Sequence, residues 1–145
     1  MIIKITLIFA IIIALIIALI IAIFFYKFNN IDNIVKVYGK IVKTEKEKIA
    51  GLMYRTNKLK YNEGMLFPLS YKNNSMWMKN TYIPLDVIFL DENMIILGSI
   101  KDTIPLSLES ISINKKSNNV LEMNAGSVNY FNMKIGKKVL FIEQS

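Results

Sequence analysis

From Ile5 to Tyr26 the chain is apolar at 21 of 22 positions, with Thr6 the single weakly polar residue and no charge. Twenty-two helical residues span about 33 Å, enough to cross a hydrocarbon core of roughly 30 Å. The run is longer than the apolar region of a cleaved signal peptide. It ends Ile23-Phe24-Phe25-Tyr26-Lys27, with no Ala-x-Ala cleavage site. The pattern predicts an uncleaved signal anchor over residues 1–27, making a single-pass membrane protein whose aromatic end sits at the lipid–water interface. Ala10, Ala14, Ala18 and Ala22 share one helical face. That spacing permits self-association of the anchor, although Ala as filler in an Ile-rich helix is the simpler account.

The periodicity then changes. Residues 28–34 are Asn-rich and read as a juxtamembrane linker. From Val35 apolar positions alternate, with Val35, Val37, Gly39 and Ile41 on one face and Lys36, Tyr38 and Lys40 on the other, which predicts a strand. Thr44-Glu45-Lys46-Glu47 is a Thr-x-x-Glu capping box. It predicts a short helix from about Glu45 to Met53, burying Ile49, Leu52 and Met53. Tyr54 to Glu63 is polar and loop-like. Gly64-Met65-Leu66-Phe67 predicts a strand stopped by Pro68, Asn73-Asn74 a turn, and Met76 to Lys79 another strand. Asp86–Leu90 and Met94–Ile100 predict a hairpin around Asp91-Glu92-Asn93, with Asn93 taking positive φ. Pro105 demotes its region to an edge or loop. Lys115–Asn119 reads as a turn, Val120–Asn124 and Lys138–Ile142 as strands, and Ala125–Phe131 as one or two helical turns. Residues 35–145 are therefore expected to form a mainly β domain, a small β-sandwich or closed β-sheet with one or two short helices.

Composition narrows the chemistry. The 145 residues contain no Cys and no His, which removes disulfides, thiolate metal sites, Cys nucleophiles and His general bases. After residue 26 there are 17 basic and 11 acidic residues, a net charge of +6. The Lys residues are scattered without a block, so a solvated surface is expected and no nucleic-acid partner. Lys4 lies on one side of the apolar run and Lys27, Lys36 and Asp32 on the other, so charge does not encode orientation. No phosphate-binding Gly-rich loop, nucleophile elbow or metal-ligand spacing occurs, and no cofactor is implied.

Arg55 is the single Arg among 18 basic residues. In a Lys-rich chain this points to a position needing a planar fork of donors, with a carboxylate as its natural partner, either internal or on a ligand. Trp77-Met78-Lys79-Asn80-Thr81 gathers unlike side chains before Pro84. Trp77 is more often core than ligand platform, and Thr81 in a turn usually bonds its own backbone. Asp86 and Glu122 each enter an apolar run, and each needs a partner if buried. A ligand-binding cluster of Arg55, Asn80, Asp86 and Glu122, with Trp77, Met78 and Thr81 nearby, is the leading reading. A hydrolase pairing Asp86 with Glu122 is a second, and an interaction module working through the anchor or a strand edge is a third.

Six motifs in order resemble the domain of unknown function 192 family. They are Gly51-Leu52-Met53-Tyr54-Arg55, Gly64-Met65-Leu66-Phe67, Trp77-Met78-Lys79-Asn80-Thr81, Pro84-Leu85-Asp86 with Phe89, Val120-Leu121-Glu122, and Ala125-Gly126. The resemblance covers about Val37 to Phe141. It implies a compact, mainly β domain, often behind an export signal, and hence an extracytoplasmic position. It implies no reaction. Two positions depart from the family's pattern: Met94 replaces a common hairpin Gly, and Pro68 follows where the family tends to continue the strand.

Overall fold

The computed structural model describes residues 2–31 and 33–144, with side-chain surroundings described for residues 8–27 and 33–144. Asp32, counted above for orientation, lies outside the described residues, as do the surroundings of Lys4. Two compact units divide at Asn33.

The first unit is one helix, α1 (Ile2–Ile31). Its segment Ile8–Lys27 is long and apolar enough to cross a membrane, and none of it is buried within the protein. The helix continues through Phe28–Ile31, so the segment read as a linker is helical in its first half.

The second unit is a six-stranded sheet with short helices: β1 (Ile34–Ile41), α2 (Glu45–Ala50), β2 (Glu63–Lys72), β3 (Leu85–Leu90), β4 (Ile96–Ile100), β5 (Ser117–Asn124), α3 (Ser127–Tyr130) and β6 (Lys138–Glu143). The strand order is β4-β3-β5-β2-β1-β6. β1 runs parallel to β2 and β6, and the other neighbouring strands are antiparallel. The two outermost strands meet through a bridge between Ile95 and Lys138, with Val139 N–H donating to Met94 O and Ile96 N–H to Lys137 O. Of the two forms expected, a single curled and bridged sheet is present.

Alternation sorts the side chains into two faces. The inner face draws Val35, Val37, Leu66, Ile88, Leu90, Ile96, Leu121, Met123 and Val139 from all six strands, and Val128 and Met133 close one end. The outer face of β2, β3 and β5 carries Phe67, Leu85, Val87, Phe89 and Val120. It is covered by Leu52, Leu59, Met76, Met78, Ile83 and Ile111 from the connecting segments. β3 is thus buried on both faces along its whole length, which is why its sequence is a continuous apolar run interrupted by Asp86.

The capping box forms as expected: Thr44 Oγ1 accepts from Glu47 N–H, and Glu47 Oε2 accepts from Thr44 N–H. A hydrogen bond from Lys40 first, then backbone N–H groups of Lys43 and Thr44, hold the Glu47 carboxyl down at about 2 against an ordinary 4.5. The helix is shorter than predicted. Gly51 stops it at φ +45, and Ile49 stays exposed while Leu52 in the following turn enters the core. β2 runs through Pro68 to Lys72, correcting the predicted stop. Leu66 O accepts from Val42 N–H at the end of β1. The missing Pro68 donor is the next group on that side, where no strand follows, while pairing with β5 continues through Pro68 and Asn119. Met76–Lys79 is not a strand: Met76 makes one bridge, to Ile111. In the hairpin Met94, not Asn93, takes positive φ (64°). Asp91 Oδ1 accepts from Asn93 and Ile95 N–H, which holds Asn93 in the preceding turn. β5 begins at Ser117, within the predicted turn.

Candidate functional site

Glu122 lies on the outer face of β5, opposite Met65 of β2 and Val87 of β3. Alternation makes this face apolar, so the carboxyl stands among hydrophobic neighbours and the residue is 4% exposed. Among the described residues it has no hydrogen-bond or ion-pair partner. Burial alone pushes its carboxyl up to about 8 from an ordinary 4.5, so it is largely uncharged at neutral pH.

The remaining exposure of Glu122 opens into a recess of about 30 Å³, whose walls include Gly51, Leu52, Met53, Phe67, Trp77 and Thr81. That volume holds about one water-sized group. Its walls come from the Gly51-Leu52-Met53, Gly64–Phe67, Trp77–Thr81 and Val120–Glu122 motifs, four segments that share no local spacing. Gly51 is required here: a Cβ at this position would touch the Phe67 ring at 3.4 Å, and the backbone has positive φ. Five of the recess residues, Lys48, Ile49, Phe67, Met76 and Trp77, also line a broader depression of about 560 Å³ that extends over Leu69, Ser70 and Lys72 to Asn74. Recess and depression form one groove between α2 and residues 73–77.

Trp77 stands at the rim and is 49% exposed, so the general tendency of Trp to be core does not hold here. Lys79 Nζ lies 5.0 Å from its ring centroid, a cation–π arrangement. The short, polar segment around it makes only one bridge and leaves the indole outside the core. Thr81 is buried, and its Oγ1 donates to Lys79 O at 3.3 Å, the local bond expected of a turn Thr. Met78 does not line the groove: it is buried with Leu52, Leu59, Ile83 and Leu85, borders a separate depression with Thr103 and Ile111, and its sulfur accepts from Thr103 Oγ1.

The other predicted residues go elsewhere. Asp86 is fully buried on the inner face, because it precedes Val87, the residue that pairs with Glu122. Its Oδ2 accepts from Val128 N–H at 2.7 Å and its Oδ1 from Asp102 N–H at 2.9 Å. It therefore caps α3 from β3, where Gly126 offers no side chain. Asp86 and Glu122 occupy opposite faces of one sheet, which removes the paired-carboxylate hydrolase. Asn80 takes φ 54°, donates from Nδ2 to Tyr54 Oη and accepts from Tyr54 N–H, binding the first and third motifs together. Arg55 is half-buried, and its Nε donates to Asn57 O at 3.0 Å. Among the described residues it makes no ion pair, and it does not line the recess. The carboxylate partner expected for it is replaced by a main-chain carbonyl in its own loop.

Sequence reasoning missed Lys48, Met76 and Asn74. The first two read as a helix surface and a strand. Asn74 Nδ2 donates to Ser70 O, Ser117 O and Ser117 Oγ, which fixes the far wall of the groove. Its burial was the missing signal, since Asn-Asn reads as an exposed turn.

Fold and site together define a small curled-sheet domain that follows an apolar helix and carries a recess lined by four of the motifs. The chain belongs to the domain of unknown function 192 family, described as "Uncharacterized ACR", whose pattern matches residues 28–141. It is similar to a protein of unknown function from Novosphingobium aromaticivorans DSM 12444 (31% identity, 69% of this chain and 71% of that one, TM-score 0.65). It is also similar to a Sinorhizobium meliloti 1021 protein provisionally described as a transcription regulator (32% identity, 69% and 78% covered, TM-score 0.66). No protein among those curated for function matches it.

Proposed function

We propose that this chain is a single-pass, membrane-anchored protein whose domain lies outside the cytoplasm and binds a small ligand in the groove, with one polar group of that ligand inserted against Glu122. The observation that carries this reading is the buried Glu122 carboxyl, unpartnered among the described residues and opening into a recess walled by four family motifs. Its oxygens keep contact with the recess while the rest of the side chain is buried, so a ligand group entering there meets an acceptor already stripped of most of its water. The apolar walls Ile49, Phe67, Leu69 and Met76 supply the contact area, and the polar groups at the recess supply orientation.

Trp77 is the single Trp of the chain and stands at the recess rim, so its fluorescence reports occupancy. The full chain in detergent, titrated with a panel of small amines, amides, alcohols and carboxylates, is expected to give a saturable change in Trp77 emission with at least one class. The change should weaken at least tenfold in Glu122→Ala, which loses the buried polar contact. A panel without any saturable response, or one unaffected by Glu122→Ala, overturns the reading.

A further inference from the structure

We infer that the inserted group is a primary ammonium carried on an aliphatic stem, with the ammonium in the recess against Glu122 and the stem along the apolar wall of the groove. This inference rests on the ligand-site reading above and names the class of ligand.

Three observations converge on a cation. The first is the polarity of the groups lining the recess. Glu122 supplies carboxyl oxygens. Thr81 spends its hydroxyl proton on Lys79 O, so it has lone pairs left to offer. Trp77 presents an electron-rich ring that already carries the Lys79 ammonium at 5.0 Å. Glu122, Thr81 and the Trp77 ring are acceptors, while Lys48, which also lines the recess, is a donor held by Glu45; an ammonium has three donors and no acceptor. The second is size: about 30 Å³ suits a group the size of one water, smaller than a guanidinium fork. The third is the approach, since Ile49, Phe67, Leu69 and Met76 line the groove that opens from the recess, and an aliphatic stem can lie against apolar surface while its charged end is placed elsewhere.

The charged neighbours of the site are Glu45, Lys48 and Lys72 along the groove and Lys79 at the rim, with Lys48 also lining the recess. α2 brings Lys48, whose Nζ is tied to Glu45 Oε1 at 2.7 Å. The 76–81 segment brings Lys79, placed over Trp77. β2 and β3 bring Met65, Phe67 and Val87, which do not titrate. Glu122 is therefore the group whose proton an entering ammonium displaces. Binding releases one proton while the empty site is protonated and none once it is ionised.

The test is calorimetric titration of the full chain with n-butylammonium, and separately with butyramide, from pH 6 to 9. The expected result is that butylammonium affinity rises by about tenfold per pH unit at first and levels off near pH 8, since one proton is released per ligand. Glu122→Gln, which matches the uncharged carboxyl in shape, should bind butylammonium at least tenfold more weakly and without pH dependence. Trp77→Phe, at an exposed position, should bind a few-fold more weakly with the pH slope intact, and this second variant keeps the test independent of any folding defect at Glu122. Butylammonium binding that ignores pH, or is unchanged in Glu122→Gln, overturns the ammonium assignment. Binding of butyramide but not butylammonium overturns it too, while leaving the ligand-site reading standing. No response to either probe, with no response from the wider panel, overturns both.

Discussion

At the scale of single residues, Glu122 sets the pH behaviour of the domain. Its carboxyl rises from 4.5 when unfolded to about 8 when folded, so between these values the native state holds a proton that the unfolded chain has released. Stability from this group is complete below pH 4.5 and is lost as pH rises toward 8. At 1.36 kcal/mol per pH unit the loss between pH 4.5 and 7 is on the order of 3 kcal/mol. Urea unfolding of the full chain should show this decline, and Glu122→Gln should flatten it, with equal stability at pH 4.5 and higher stability than the native chain at pH 8. A native curve flat over this range would show that Glu122 is solvated. Both carboxylates, Asp86 and Glu122, were visible in the sequence as charges in apolar runs. Which of them is satisfied was not, because that depends on the strand register and on α3 lying beside β3. Arg55 shows the converse. Rarity in a Lys-rich chain marked it, but its guanidinium meets a carbonyl two residues away, a bond no composition argument reaches.

Elements were most readable where one segment determines its own structure. β1, the capping box and β3 follow from local alternation and local hydrogen bonds. β2 does not, because a Pro is excluded only on a side where a partner strand needs its N–H, and sequence alone does not say that β1 ends at Ile41. Likewise, Met76–Lys79 has strand composition but pairs only through the single Met76–Ile111 bridge. The pairing of β1 with β2 depends on an interaction between two glycines. A Cβ at Gly39, which has φ +147, would lie 1.9 Å from Gly64 O. Gly39→Ala is therefore expected to destabilise the fold by more than about 3 kcal/mol or to abolish folding. Gly126→Ala, at φ +89 with open space around the position, should cost about 1 kcal/mol through backbone strain alone. Equilibrium denaturation of the two variants compares them directly, and similar small losses would mean that β1 can move away from β2.

For the whole molecule, the apolar helix and the curled sheet are separate units, and the helix is long and apolar enough to cross a membrane. Residues 34–145 contain the closed core and the complete recess. This fragment, expressed alone, is expected to be monomeric and soluble, with the Trp77 emission of the full chain. The full chain should sediment with membranes and resist extraction by salt. Added protease should digest its domain in spheroplasts that leave a cytoplasmic marker intact. Protection of the domain there, with digestion only after lysis, would place it in the cytoplasm.

The closure of the sheet has a consequence for crowding. Proteins confined to a bilayer diffuse in two dimensions and meet their own copies at high local concentration, conditions under which exposed strand edges join one chain to the next. Here the outermost strands are bridged to each other through Ile95 and Lys138, and the one side of β2 left without a strand begins with Pro68, which lacks a donor. At high local concentration the bridge and Pro68 therefore disfavour strand-to-strand joining of copies at these two places.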